Sequence, residues 1–168
     1  MRAFAHGEHV SPPPDSEAIT PEGLRALEAE LEQLQTVERD VMAKRLLAAR
    51  SLGDLKENAE YHIAKDDQAH LETRIKRLRD RLRNAVVVES TADGDTFAFG
   101  RTAEVLDEAS GKVQTWTIVG PTEADLAKGK LSAESPVAKA LLGSAAGDTV
   151  EVDTPRGPRK YRVERLVS

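Results

Sequence analysis

The sequence predicts an α+β protein in which a long antiparallel helical hairpin precedes a small antiparallel β domain with one helix. Of 168 residues, 39% are hydrophobic, 32% charged and 4% aromatic, too little apolar material for one large core. A hairpin suits this composition because it buries only a narrow stripe. Periodic leucines fill the first half, whereas strand-like runs and glycines fill the second. We divide the chain into a flexible extension (1–19), a hairpin with an acidic tip near 53–60 (20–84) and a β-rich domain (85–168).

The first helix is predicted to begin after the proline-rich extension. Thr20 is a suitable N-cap, and Pro21 fits the first helical position, where its missing N–H costs nothing. Apolar residues then recur at spacings of three and four, the stripe of a coiled coil. The stripe consists of Leu24, Leu27, Leu31 and Leu34, and Val41 continues it toward Leu52.

A second helix is predicted to follow Gly53, which ends the first as a left-handed cap residue, and to end near Asn84. Its apolar face comprises Ile63, Leu71, Ile75, Leu78 and Leu82. Two long helices with a very short connection must pack antiparallel. The acidic stretch 22–40 then lies opposite the basic stretch 74–83. We therefore interpret the basic run as a charge-complementary helix face and not as a nucleic-acid patch.

The second half of the chain reads as a small sheet with one packed helix. The helix is predicted from Pro136 to Leu142, with Ser135 as N-cap and Gly143 closing it. Short strand-like runs separated by glycines occupy the rest. These runs are Val86–Val88, Thr96–Phe99, Thr102–Leu106, Val113–Val119, Thr149–Val152 and Tyr161–Val167.

Several classes of function are excluded by composition. Cysteine is absent, which excludes disulfides, thiol nucleophiles and Cys-ligated zinc. No apolar run approaches the roughly 18–20 residues that span a bilayer, and no apolar signal core begins the chain. We expect a cytoplasmic monomer with no membrane contact. The net charge of −5 argues against independent DNA binding.

The predicted hairpin tip carries three acidic residues at intervals of three. Asp54, Glu57 and Glu60 follow Gly53 and can share one side of a turn that opens a helix. The same spacing fits a capping box, with Asp54 as N-cap and Glu57 at the third helical position. The residue types alone leave both interpretations open, a displayed acidic pair and a helix cap.

The tip string Ala49–Lys65 (ARSLGDLKENAEYHIAK) resembles the tip signature of the Gre transcript-cleavage factors of bacterial RNA polymerase. Leu55 and Ala59–Tyr61 look like the GreA-like branch of that family. Further similarity appears in the second half of the chain, and the resemblance covers about Ile19 to Val167. The similar segments there are Ile118–Gly120, Glu123–Asp125, Ser135–Ala138 and Gly147–Val150.

The resemblance implies a mechanism. In this family the coiled coil enters the secondary channel of RNA polymerase and presents two acidic residues to the active site. The matching residues here are Asp54 and Glu57. They would help hold the second catalytic Mg²⁺, which activates a water to cut the 3′ end of backtracked RNA. The chain would bind no cofactor alone, would share Mg²⁺ with the polymerase, and would be a cofactor protein and not an enzyme.

The resemblance also implies contact residues. Contacts to RNA or polymerase near the tip are expected from Arg50, Lys56, Asn58, Tyr61 and Lys65. The small domain, FKBP-like in this family, would dock on the polymerase rim through Glu134, Ser135 and Pro136.

Two other functions compete with this interpretation. One is a channel-binding inhibitor or regulator that lacks cleavage stimulation, since some relatives keep only the architecture. The other is a prolyl isomerase, suggested by the FKBP-like domain, although fold alone is a weak warrant for function.

Overall fold

The computed structural model describes residues 16–90 and 94–167. Within these residues the chain forms four α-helices, seven strands, one π-helical segment and one 3₁₀ segment. In chain order they are β1 (Glu17–Ile19), α1 (Pro21–Gln33), the π segment (Leu34–Glu38), α2 (Arg39–Arg50), α3 (Ala59–Asn84), β2 (Ala85–Val87), β3 (Thr102–Asp107), β4 (Lys112–Val119), a 3₁₀ turn (Leu126–Lys128), β5 (Lys130–Ser132), α4 (Pro136–Leu141), β6 (Thr149–Thr154) and β7 (Gly157–Leu166).

The first half of the chain forms two antiparallel helical arms. Thr20 caps α1 as predicted, because its hydroxyl accepts a hydrogen bond of 3.0 Å from the Gly23 N–H. The arm built from α1, the π segment and α2 is followed by α3, which returns beside it. Ion pairs that cross between the arms fix the direction of packing: Arg74 to Glu30 at 2.5 Å and Arg39 to Glu72 at 2.7 Å. The pair of Arg74 and Glu30 confirms the predicted contact between the acidic and basic stretches, whereas the pair of Arg39 and Glu72 has the opposite sense.

Most of the predicted apolar stripe lies between the arms. The fully buried members form, together with one residue that was not predicted, a cluster that we call the helical seam: Leu27, Leu34, Ile75 and Leu78, with Ile19. Four further predicted residues pack against it while partly buried: Leu24, Leu31, Leu71 and Leu82. The periodicity of apolar residues therefore predicted this core correctly, except for Ile19.

The predicted stripe fails toward the tip. Val41, Ile63 and Leu52 are 54%, 50% and 73% exposed, so their assignment to the seam was wrong. For Val41 the cause is the π segment, because a π-helical turn holds about one residue more than an α-helical turn. The extra residue rotates every later position of the first arm away from the pattern. Ile63 lies on α3, which this shift does not affect. The buried residues nearest the tip are instead Leu46, Ala49 and Ala64.

The extension expected to be flexible ends in a strand. Residues 1–15 lie outside the described residues, but Glu17–Ile19 form β1, which pairs in parallel with β2. Ile19 is 2% exposed and belongs to the helical seam. A three-residue strand whose partner lies far along the chain leaves almost no periodic signal in the sequence.

The second half is a five-stranded sheet in the order β5-β4-β3-β7-β6. All neighbours are antiparallel except β4 and β5, which corrects the expectation of a purely antiparallel sheet. The predicted strand at Thr96–Phe99 makes only an isolated bridge from Thr96 to Ala145, although Phe97 is fully buried. The strand Lys130–Ser132 was not predicted.

The sheet has its own core, and α4 covers it. Ser135 caps α4 as predicted, accepting a hydrogen bond of 3.1 Å from the Ala138 N–H. The helix ends at Leu141, one residue earlier than predicted, and Gly143 follows with a φ of 83°. The buried cluster comprises Phe97, Ala103, Val105, Trp116, Ile118, Leu131, Ala138, Leu141, Val152, Tyr161 and Val163. In the part of the chain that the structure describes, no helix has the length and apolarity needed to cross a membrane.

The seam should carry the stability of the helical arms. Leu78→Ala removes a side chain that is 5% exposed, and we expect it to lower the free energy of unfolding by about 2–4 kcal/mol. Arg74→Ala, which breaks an exposed ion pair, should cost only about 0.2–1 kcal/mol. Chemical denaturation monitored by circular dichroism measures both values.

Leu47→Ala is the matched control. Because Leu47 is 70% exposed, this substitution should change the free energy of unfolding by less than about 0.5 kcal/mol. Similar losses in all three variants would show that the seam has been misplaced.

Candidate functional site

The tip of the helical arms is formed by residues 51–58, between α2 and α3. The last turn of α2 is closed by Ser51 N–H and Leu52 N–H, which donate to the carbonyls of Ala48 and Ala49, each at 3.2 Å. Gly53 follows with a φ of 126°, a conformation that residues with a Cβ rarely adopt. A glycine at this point therefore lets the chain reverse.

Asn58 closes the tip on the other side. Its side-chain oxygen caps α3 by accepting a hydrogen bond of 3.0 Å from the Tyr61 N–H. Its side-chain nitrogen donates to the carbonyl of Ala49 at 2.6 Å. One amide thus caps α3 and ties it to the end of α2. Asn58 is half-buried, and its two hydrogen bonds give it a structural role within the chain itself.

Asp54 and Glu57 lie on the exposed part of the tip. The Asp54 carboxylate accepts one hydrogen bond, 3.0 Å from the Lys56 N–H, which holds a local turn. Among the described residues neither carboxylate forms an ion pair. Because α3 begins at Ala59 and Asn58 is its cap, the capping-box interpretation of Asp54 and Glu57 is wrong. The two carboxylates are therefore available to bind a group outside the chain.

Glu60, the third acidic residue of the tip, is placed differently. Arg45 of α2 bridges it to Asp67, with nitrogen–oxygen distances of 3.1 Å to Glu60 and 2.5 Å to Asp67. The hydrogen bond to Asp67 and, to a smaller extent, the one to Glu60 raise the pKa of Arg45. Only two of the three predicted tip carboxylates are therefore without a cation.

Cationic and aromatic side chains lie on the tip and on the helix ends next to it. The Arg50 guanidinium lies 5.8 Å from the centre of the Tyr61 ring, within cation–π range. Lys56 and Lys65 are exposed, and Lys65 donates to Gln68 at 3.0 Å. All of the predicted tip residues are thus gathered on the tip or on the first two turns of α3 and the last turn of α2.

The residues predicted to dock lie on the other half of the chain. Glu134 and Pro136 are exposed at the start of α4, and Ser135 is half-buried and caps the helix. The fold therefore separates a tip with free carboxylates from a sheet domain with a second exposed element. Within residues 16–90 and 94–167, no three His, Asp or Glu side chains are arranged to hold a metal ion.

Family models match both halves of the chain. The model described as "Transcription elongation factor, N-terminal" matches residues 17–87, and "Transcription elongation factor, GreA/GreB, C-term" matches residues 91–166. The chain belongs to the GreA/GreB family.

Curated relatives agree with this assignment over nearly their whole length. Transcription elongation factor GreA of Rhodospirillum rubrum is 47% identical over 86% of this chain and 93% of its own. GreA of Bradyrhizobium sp. (strain BTAi1) is 46% identical over 88% and 94%, respectively. A crystal structure of GreA factor homolog 1 (Gfh1) of Thermus thermophilus is 32% identical, covering 91% of this chain and 99% of that chain, with a TM-score of 0.40.

Sequence reasoning missed how this GreA/GreB family member builds its tip. Asn58 was expected only as a contact residue, and Asp54 was the candidate cap. Both residue types favour N-cap positions, so local preference cannot choose between them. The choice is made by the Ala49 carbonyl on the other arm, which only the folded hairpin brings within reach of Asn58.

The cap assignment can be tested by stability. Asn58→Ala should lower the free energy of unfolding by about 0.5–2 kcal/mol because α3 loses its cap. Asp54→Ala should change it by less than about 0.5 kcal/mol, since an exposed local turn is lost. Thermal unfolding and hydrogen exchange at the Tyr61 amide would report both effects. A loss from Asp54→Ala as large as that from Asn58→Ala would restore the capping box.

Proposed function

We propose that this chain is a bacterial transcription elongation factor that binds RNA polymerase and stimulates cleavage of the 3′ end of backtracked RNA. One observation carries the proposal: Asp54 and Glu57 are exposed at the end of a helical arm, without an ion pair among the described residues, in a member of the GreA/GreB family. The chain acts as a cofactor protein of the polymerase, which performs the cleavage.

The helical arms supply reach. Helix α3 has 26 residues, which at 1.5 Å per residue gives a length of about 39 Å. We propose that the arms act as the coiled coil that enters the secondary channel and carries the tip to the polymerase active site. The whole process takes place in the bacterial cytoplasm, and one copy of the chain is sufficient.

The donor set of the tip suits Mg²⁺. Carboxylate oxygens are the ligands that Mg²⁺ prefers, and Mg²⁺ keeps several further ligands from water or other groups. Two carboxylates on an exposed turn are too few to hold the ion alone, so the polymerase must provide the rest of the site. When bound there, the ion lowers the pKa of a water and stabilises the charge of the departing RNA oxygen. Asp54 and Glu57 add negative charge and fix where the ion sits.

The cationic side chains of the tip are suited to contact the phosphate groups of the RNA that such a site must hold. Arg50, Lys56 and Lys65 carry positive charge beside the acidic pair, and phosphate contacts of this type position a nucleic acid without reading its sequence. Tyr61 holds Arg50 in place through its ring. Asn58 contributes indirectly, because it fixes the backbone that bears Asp54 and Glu57.

The sheet domain provides the docking surface in this proposal. Glu134, Ser135 and Pro136 lie at the start of α4, on a sheet domain that we propose to be FKBP-like, and would contact the rim of the secondary channel. Docking by one half and chemistry by the other explains why the two exposed elements lie on different parts of the fold.

The catalytic role of the acidic pair gives a sharp test. Asp54→Asn, and separately Glu57→Gln, keep the shape of each side chain but remove its charge. Each should lower the rate of stimulated RNA cleavage by at least about 10–100-fold, since a ligand of the metal is lost. Polymerase binding should stay close to that of the unmodified protein. Cleavage of RNA in stalled polymerase complexes, measured at saturating factor, reads out the rate.

Glu60→Gln is the matched control. It removes a charge from the same tip, but from a carboxylate already paired with Arg45, so cleavage should change little. Full activity of Asp54→Asn would exclude a catalytic role for that residue. A chain that binds polymerase and never stimulates cleavage would instead be a channel-binding inhibitor.

The docking surface has a separate test. Combining Glu134→Arg with Pro136→Ala should weaken competition with a labelled GreA/GreB factor for core polymerase, because it reverses a charge and alters the exposed start of α4. The fold should remain, since Ser135 still caps the helix. Unchanged affinity for core polymerase would show that the chain docks through another surface.

A further inference from the structure

The two halves of the chain meet at a small polar contact, which we call the joint. Its residues are Ala18 and Thr20 before α1, Gly23 in α1, and Gly120 and Glu123 after β4. The Glu123 carboxylate lies at its centre. Oε2 accepts hydrogen bonds from the Thr20 N–H at 2.9 Å and from the Gly120 N–H at 3.2 Å, and Oε1 accepts one from the Thr20 hydroxyl.

Two glycines make room for this contact. A Cβ on Gly23 would overlap the Glu123 carboxylate, and a Cβ on Gly120 would overlap the carbonyl oxygen of Ala18. Gly23 lies in the first turn of α1, where a glycine weakens a helix relative to alanine. A residue that is unfavourable locally is thus explained by the approach of Glu123.

The joint lies between the two apolar cores, next to buried Ile19 and Val119. The helical seam and the core of the sheet are separate clusters. Cavities of about 410 and 220 Å³ flank the contact, and Glu123 lines both. The hydrogen bonds from Thr20 to Glu123 cross between the two halves, and Thr122 donates to Glu17 nearby. These polar contacts, with Glu123 at their centre, define how the helical arms stand on the sheet domain.

We propose that Glu123 is a positioning residue that sets the angle between the helical arms and the sheet domain, and through that angle the place of the tip. The functional part of this inference rests on the proposed function, in which one half docks and the other delivers Asp54 and Glu57. A tilt of about 5° at the base of an arm of roughly 45 Å moves its end by about 4 Å. Displacements of about 1 Å can cost a factor of about 10² in rate.

The angle itself can be measured in the free protein. The chain has no cysteine, so Ala29→Cys and Lys112→Cys, both at exposed positions, give one spin-labelled pair across the joint. Glu123→Ala should broaden or shift the distance distribution. Glu123→Gln should restore most of it, because one amide oxygen can still accept from the Thr20 and Gly120 N–H groups. Glu151→Gln, an exposed carboxylate on β6, is the control and should leave it unchanged.

Gly23→Ala provides an independent perturbation. Alanine favours the helix, but its Cβ displaces the Glu123 carboxylate. We therefore expect a broadened or shifted distribution in a protein whose helix is locally strengthened. This variant decides the question if Glu123→Ala does not fold. Unchanged distributions in Gly23→Ala, or in a folded Glu123→Ala, would overturn the inference.

The functional part is read at saturating factor with polymerase. Glu123→Ala and Gly23→Ala should lower the maximal cleavage rate by at least about tenfold while the affinity for polymerase stays close to normal, and Glu123→Gln should recover most of the rate. Full cleavage by a variant with a displaced joint would refute the positioning role. If the unmodified protein itself stimulates no cleavage, the proposed function fails, and the distance distributions still decide whether Glu123 sets the angle.

Discussion

The return of α3 along α1 and α2 is the constraint on which the rest of the structure depends. Five buried residues of the helical seam hold the arms together, and at the tip the small side chains of Ala49 and Ala64 let them approach closely. A pair of helices can bury only the faces that meet. Everything beyond the last buried contact is therefore exposed to solvent, including the turn that bears Asp54 and Glu57. An exposed acidic pair is a direct consequence of a two-helix arm with nothing packed over its end.

The charges of the arms are arranged so that this acidic pair alone lacks a cation among the described tip carboxylates. Glu30, Glu72, Glu60 and Asp67 are each met by an arginine from the opposite arm. Asp54 and Glu57 lie past the point where the two arms face each other, so no arginine is opposite them. Leaving two carboxylates unpaired costs little while water solvates them. The same carboxylates become strong ligands once a partner excludes that water, because the interaction between charges grows as the dielectric falls.

Sequence periodicity predicted the seam because leucines at spacings of three and four are typical of a helix that buries one narrow face, and it failed at the π segment. From Leu34 the stripe should continue at Val41, seven residues on, whereas half-buried Met42 and buried Leu46 and Ala49 continue it. This is the pattern displaced by one residue. The short strands β1 and β5 were not predicted. Each has only three residues, and its parallel pairing depends on a partner strand that local sequence preference does not reveal. At the tip, the sequence predicted the acidic pair. It could not show that Asn58, and not Asp54, caps α3, because that choice depends on the hydrogen bond from Asn58 to the other arm.

Two separate cores joined by a polar contact allow position and stability to be set independently. A substitution in the helical seam changes whether the arms form, and one in the sheet core changes whether the docking element is presented. A substitution at the joint leaves both cores intact and alters only the direction in which the arms point. In a single continuous core, the same change of direction would require repacking buried side chains, and disturbing a well-packed core typically costs about 1–3 kcal/mol. Hydrogen bonds from one carboxylate to two backbone N–H groups and a hydroxyl define a direction sharply, and they are lost without creating a cavity. Selection can therefore adjust where Asp54 and Glu57 are delivered through residues such as Glu123 and Gly23, far from the tip itself.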